Sequence, residues 1–138
     1  RDMLTNHSAG LTAEELILNG ISKDADVAGG GRHMSNHFAK PAWNIHNVSS
    51  CTGNHTLHAV GVARAIKKYK VPGVAISSQG ESSVSEGYVY EAINGASNER
   101  LPVIFVFQDN GYGISVPKAD QRTPGLGLGK RCMTTLVW

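Results

Sequence analysis

The row Val103-Ile104-Phe105-Val106-Phe107, apolar without a break, limits what this chain can fold into more than any other stretch. Such a run, rich in β-branched and aromatic residues, is the pattern of a strand covered on both faces, as in the parallel sheet of an α/β fold. A weaker strand is expected at Val74-Ala75-Ile76. Between the two lies a helical pattern in which Val89, Ala92, Ile93 and Ala96 recur at i, i+3, i+4 and i+7. Strand, helix and strand in that order return the chain to its starting side, so both strands run the same way and their C-terminal ends share one edge. Ligands of open α/β sheets bind at that edge.

The flanks are less regular. Thr12, with Glu15 three positions on, forms a capping box and predicts a short helix over residues 12–19, ending at Gly20. Residues 22–47 mix glycine, polar residues and a proline with no period of 2 or 3.6. They are expected to form a long loop with little core of its own, ordered by a cofactor or a partner. Its histidines, His33, His37 and His46, favour a functional loop. From His55 an apolar-rich segment predicts a helix buried on nearly every side over its first half. Lys67, Lys68 and Lys70 sit at its C-terminal end, where the helix dipole favours positive charge, and Pro72-Gly73 closes it. Ser85 is placed to cap the helix that precedes the second strand. Beyond Lys118 the composition is that of a loop until an apolar end, Leu136-Val137-Trp138, which lacks visible cover.

At 138 residues the chain is long enough for one domain with one modest core. A net charge of +2, with acids and bases interspersed, gives no electrostatic footprint for nucleic acid. No apolar run approaches a membrane span. Cys51 and Cys132 form no Cys-x-x-Cys pair, and a reducing, cytoplasmic setting is expected. The chain opens on Arg1 rather than methionine, which suggests a piece of something longer.

Chemistry is expected where the strands end. Glu81 follows the first strand and Asn110 the second, each beside small residues that let a ligand approach the backbone. A carboxylate and an amide oxygen suit magnesium, which is usually bound together with phosphate oxygens, and Gly80, Ser82 and Ser83 offer backbone N–H groups to an anion at a helix start. Solvated turns would have the same composition, so these residues alone leave both readings open. His55 and His58 share a helical face but have no third ligand in view, and packing explains them better than a metal pair.

The spacing of Gly80-Glu81-Ser82, Ser85-Glu86-Gly87 and Asp109-Asn110 resembles the thiamine-diphosphate motif. More closely, residues 85–115 resemble the alpha subunit of the decarboxylating dehydrogenase component of 2-oxoacid dehydrogenase complexes, the pyruvate and branched-chain enzymes. Thr12-Ala13-Glu14-Glu15-Leu16, Gly31-Arg32-His33-Met34-Ser35-Asn36-His37-Phe38, Ser49-Ser50-Cys51-Thr52-Gly53 and His58-Ala59-Val60-Gly61 follow the same family in order. The resemblance covers residues 1–120 and implies the diphosphate-binding half of a thiamine-diphosphate fold, incomplete, over residues 1–121. Residues 122–138 form a tail that matches nothing in the family. It implies magnesium held by Glu81, Asn110 and the Tyr112 carbonyl, and thiamine diphosphate bound by Gly80, Glu81, Ser82, Asn110 and Tyr112. Arg1 would lie on the diphosphate, Ser50 and Thr52 beside the aminopyrimidine ring, and His37 would be the catalytic residue at the reacting end. The implied activity is oxidative decarboxylation of a small 2-oxoacid with transfer of the acyl group to a lipoyl-bearing transacylase component. A beta subunit would supply the carboxylate that activates the cofactor, in a heterotetramer, located in the bacterial cytoplasm or, in a eukaryote, the mitochondrial matrix. Two other readings stand beside it: a truncated, non-catalytic binding or assembly fragment of the same fold, and another thiamine-diphosphate enzyme such as a transketolase.

Overall fold

The computed structural model describes residues 3–47, 49–121 and 135–137, and the chain divides into two units, residues 1–50 and 51–138. In the first unit, α1 spans Met3–Ser8 and α2 spans Ala13–Gly20. The capping box forms: Thr12 Oγ1 accepts the Glu15 N–H at 3.1 Å and Glu15 Oε2 accepts the Thr12 N–H at 2.8 Å. Lys40 Nζ donates to both Glu15 oxygens, at 2.7 and 2.8 Å, and to the Gly10 carbonyl at 3.2 Å.

The segment after α2 differs from expectation, because it carries ties of its own. Asn19, buried near the end of α2, donates through Nδ2 to Asp26 at 3.2 Å and accepts the Asn36 N–H at 2.9 Å. The buried Asp26 carboxylate accepts the N–H groups of Ala28 and Gly29, each at 3.0 Å. A 3-10 turn at Pro41–Trp43 and a bridge between Lys40 and Ile45 follow, and Leu11 and Phe38 are buried. Charge-assisted bonds to backbone N–H groups offset ordering entropy without any apolar period, so a search for periodicity passes over them.

In the second unit, α3 spans His55–Tyr69, β1 Ala75–Gly80, α4 Gly87–Asn98 and β2 Val103–Gln108. β1 and β2 are parallel, in register from Ala75 against Val103 to Gly80 against Gln108. The first strand thus starts one residue after Val74 and runs on through Ser77-Ser78-Gln79, whose polar side chains hide it from a hydrophobic reading. Ala75 on β1 and Val103, Phe105 and Phe107 on β2 face a core closed by Val60 and Ala63 of α3 and by Val89, Ala92 and Ala96 of α4. The expected apolar positions of α4 are therefore its buried face, with Ile93 packed at the margin.

Both helices share a core with this one face of the sheet, and that corrects two expectations. Ile104 and Val106 are only half-buried and Ile76 is 64% exposed, so β2 is not covered on both faces. α3 buries a single stripe, Thr56, Val60 and Ala63, and leaves Leu57 exposed. A third correction concerns the start of α4. A 3-10 turn, Glu81–Ser85, precedes it, and Glu86 holds the cap position without a side-chain bond, so Ser85 is not the cap. At the far ends of the two helices, Arg64 donates to the Glu99 carboxylate and Lys67 to the Glu99 carbonyl.

After β2 come β3, Tyr112–Gly113, and β4, Val116–Pro117, which pair as a hairpin, and then α5, Lys118–Gln121. β5, Thr135–Val137, lies antiparallel to β2 with Val137 opposite Val103. The side chains of the apolar end lie outside the described residues, as do Arg1 and Cys132. Among the described residues, no helix is long and apolar enough to cross a membrane. The result is an incomplete α/β fold, with helices against one side of a sheet ordered β1-β2-β5, in which β1 and β2 are parallel.

Candidate functional site

The parallel register brings the ends of β1 and β2 side by side, with Gly80 opposite Gln108, and the chain leaves both strands at the same edge. The buried face of β1 turns polar on the way, with Ser77, Gln79 and then Glu81 all buried. Glu81, the first residue of the 3-10 turn, is 4% exposed. One of its oxygens, Oε2, accepts the Asn110 N–H at 3.4 Å, whereas Oε1 is buried without a partner. Ser77 Oγ donates to Gln79 Oε1 at 3.1 Å, and Gln79 Nε2 and Asn54 Oδ1 are also buried without partners. His55 Nε2 donates to the Ser78 carbonyl at 3.0 Å, tying the first turn of α3 to β1. Burial holds the His55 imidazole below its ordinary value, against the opposing pull of the bond to Ser78.

The loop after β2 is held by its own side chains. Asp109 Oδ1 accepts the Gly111 N–H at 3.0 Å and Asn110 Oδ1 accepts the Tyr112 N–H at 2.9 Å, two successive Asx turns. Gly111 has φ +83, which the turn requires. Lys118 clamps the loop from the far side, with its Nζ on Asp109 Oδ2 and its N–H on the Gly111 carbonyl at 2.9 Å. The Asx turns are visible in the Asp109-Asn110-Gly111 sequence, but Lys118 gives no signal, since its partner lies nine positions away and is fixed only by the β3–β4 hairpin. Gly113 packs against Ser82 Oγ so closely that a Cβ there would collide with it, which joins the two strand-end loops.

Of the residues singled out from sequence, Gly80, Glu81, Ser82, Asn110 and Tyr112 come together at this edge. Ser50 and His37 meet in the first unit, where the His37 ring, 6% exposed, is bonded through Nε2 to Ser50 Oγ at 2.8 Å. Thr52 is exposed in the loop before α3. Arg1 lies outside the described residues. Among the described residues, no group of three or more His, Cys, Asp or Glu side chains could hold a metal. An ion at the strand ends would therefore rest on one carboxylate and neutral oxygens, a donor set that fits a hard divalent cation. The unpartnered Glu81 oxygen fits as well, since a buried carboxylate without compensation is costly.

A family model described as "Dehydrogenase E1 component" matches residues 1–125. The chain is 39% identical over 117 residues to the 2-oxoisovalerate dehydrogenase subunit alpha of Bacillus subtilis, covering 85% of this chain and 36% of that one. It is 44% identical over 108 residues to the pyruvate dehydrogenase E1 component subunit alpha of Staphylococcus aureus, covering 78% of this chain and 29% of that one. The mitochondrial 2-oxoisovalerate dehydrogenase subunit alpha of Caenorhabditis elegans is 35% identical over 108 residues, with 78% of this chain and 25% of that one covered. The chain thus spans roughly a third or less of the length of these relatives. A match that takes in both strand-end loops and most of the residues on either side has one meaning: the chain belongs to the dehydrogenase E1 component family.

Proposed function

We propose that this chain is the diphosphate- and magnesium-binding part of an alpha subunit that acts with a beta subunit. Together they would decarboxylate pyruvate or a branched-chain 2-oxoacid oxidatively and pass the acyl group to a lipoyl carrier on a transacylase component. The observation that carries this reading is the buried Glu81 oxygen without a partner, beside Asn110 at the shared end of two parallel strands. Glu81, the Asn110 amide oxygen and the Tyr112 carbonyl are the donors we assign to magnesium, and Gly80 and Ser82 offer backbone N–H groups to the diphosphate. Arg1 is assigned to the diphosphate, and Ser50 and Thr52 to the aminopyrimidine ring. Thiamine diphosphate, when bound, supplies the electron sink for loss of carbon dioxide. This chain's part is to neutralise and orient the diphosphate end and, at His37 Nε2, to hold or release a proton. The relatives' names, bacterial and mitochondrial, support the bacterial cytoplasm or the mitochondrial matrix as the setting.

Titration of thiamine diphosphate into the chain with its beta subunit tests the reading. Binding is expected to require magnesium and to weaken at least about tenfold in Glu81→Gln, as for loss of a charge-assisted contact. Magnesium-independent binding, or none with the beta subunit present, would refute the assignment. A second reading, a non-catalytic binding or assembly piece of the same fold, has absence of cofactor binding as its expected result.

A further inference from the structure

The contact between His37 and Ser50 has a direction that the surrounding atoms dictate. His37 Nδ1 lies 3.2 Å from the Ser35 carbonyl oxygen, which can only accept, so Nδ1 carries the proton. In the neutral ring Nε2 is then a bare lone pair, and the hydrogen of Ser50 Oγ, 2.8 Å away, points at it. The ring is buried while Ser50 is exposed. A small molecule can therefore approach the pair only from the Ser50 side, where Nε2 lies directly behind the hydroxyl. Hydroxyl nucleophile, neutral imidazole base and a third group that fixes the base's tautomer are the parts of an activated serine, with a backbone carbonyl in the orienting place. His33 is a titratable neighbour, with its ring Nδ1 3.4 Å from the His37 carbonyl oxygen.

We propose that Ser50 is an activated nucleophile with His37 as its general base, competent for acyl transfer from small activated esters or thioesters. Ser50 Oγ attacks the carbonyl carbon as its proton passes to His37 Nε2. The C–O or C–S bond breaks, and the leaving alcohol or thiol takes that proton from Nε2. Water, deprotonated by the same nitrogen, then releases the carboxylic acid from Ser50. This activity draws on two residues that the proposed function places at the cofactor, but it needs neither magnesium nor the diphosphate.

The test uses the whole chain and phenylmethylsulfonyl fluoride, with the modified serine located by mass spectrometry. The S–O bond forms at Ser50, the S–F bond breaks, fluoride leaves, and the proton goes through His37 to solvent. Ser50 should react on the order of tenfold or more faster than the chain's other exposed serines, a modest share of what a positioned general base contributes. The rate should drop to that of the other serines in His37→Gln. Because His37 is buried and its replacement can disturb the loop, nitrogen NMR of wild type and of the exposed variant Ser50→Ala gives a second reading. The wild-type ring should carry its proton on Nδ1, and its Nε2 resonance should move when the Ser50 hydroxyl is removed. A proton on Nε2, or Ser50 labelling no faster than its neighbours, would overturn the proposal. Since no cofactor enters the assay, that failure would leave the magnesium reading standing.

Discussion

Two buried carboxylates show how a single residue's surroundings decide its role. Burial by itself raises the Asp26 carboxyl, but N–H donors from Ala28, Asn19, Gly29 and Gly31 outweigh it and hold the group below its ordinary value of 3.8. Glu81 has one N–H donor and one buried oxygen without a partner, the observation on which its proposed role at a metal rests. Glu15 is also held down, first by its bond to Lys40 and then by the Thr12 N–H. A depressed folded-state carboxyl stabilises fully above its unfolded value and loses that stabilisation as pH falls through the folded value. Melting followed by circular dichroism should therefore weaken below about pH 4, where Asp and Glu titrate in unfolded chains. Asp26→Ala, which strands buried N–H groups, should cost about 1–3 kcal/mol at neutral pH and flatten the acid limb of the curve. An unchanged acid limb would show that the Asp26 hub contributes nothing to the pH dependence.

Among the elements, the turn leading into α3 is the most tightly specified. Gly53 has φ +81, and a Cβ there would lie 2.9 Å from Val89 Cγ2 and 3.3 Å from the Ser83 carbonyl oxygen. Its own carbonyl accepts from Thr56 Oγ1 at 2.6 Å, which starts the helix. Gly53→Ala should destabilise by at least about 1–2 kcal/mol from the left-handed backbone alone, with further loss from the clash with α4. Urea denaturation checks this, and an unchanged midpoint would mean that the turn relaxes freely. α4, with its apolar spacing, and β2, with its unbroken apolar run, are legible in the sequence because apolar residues mark both. The polar half of β1 is not, since Ser77 and Gln79 are buried for the sake of the strand end rather than of the core.

At the scale of the molecule, the helices described in the second unit, α3 and α4, pack on one side of the sheet. Ile76, 64% exposed, stands in register with Ile104, and the half-buried Val106 with Ser78, on the face turned away from the helix-covered core. Apolar groups grouped this way on a sheet face favour association. Sedimentation velocity of the isolated chain should show concentration-dependent self-association that Ile76→Lys reduces, at little cost in stability because the site is already in water. A purely monomeric wild type would refute this.

By itself the sequence determined that two strands and the helix between them form a parallel pair, and that Glu81 and Asn110 follow the two strand ends. Apolar period and chain direction settle both. It also determined the α2 capping box, a matter of three residues' spacing. Only the tertiary structure decided that the loop after α2 hangs on Asn19 and Asp26, and that His37 meets Ser50. Those depend on which distant groups meet, and polar contacts leave no period in the sequence because each is made once, between partners the fold alone brings within reach.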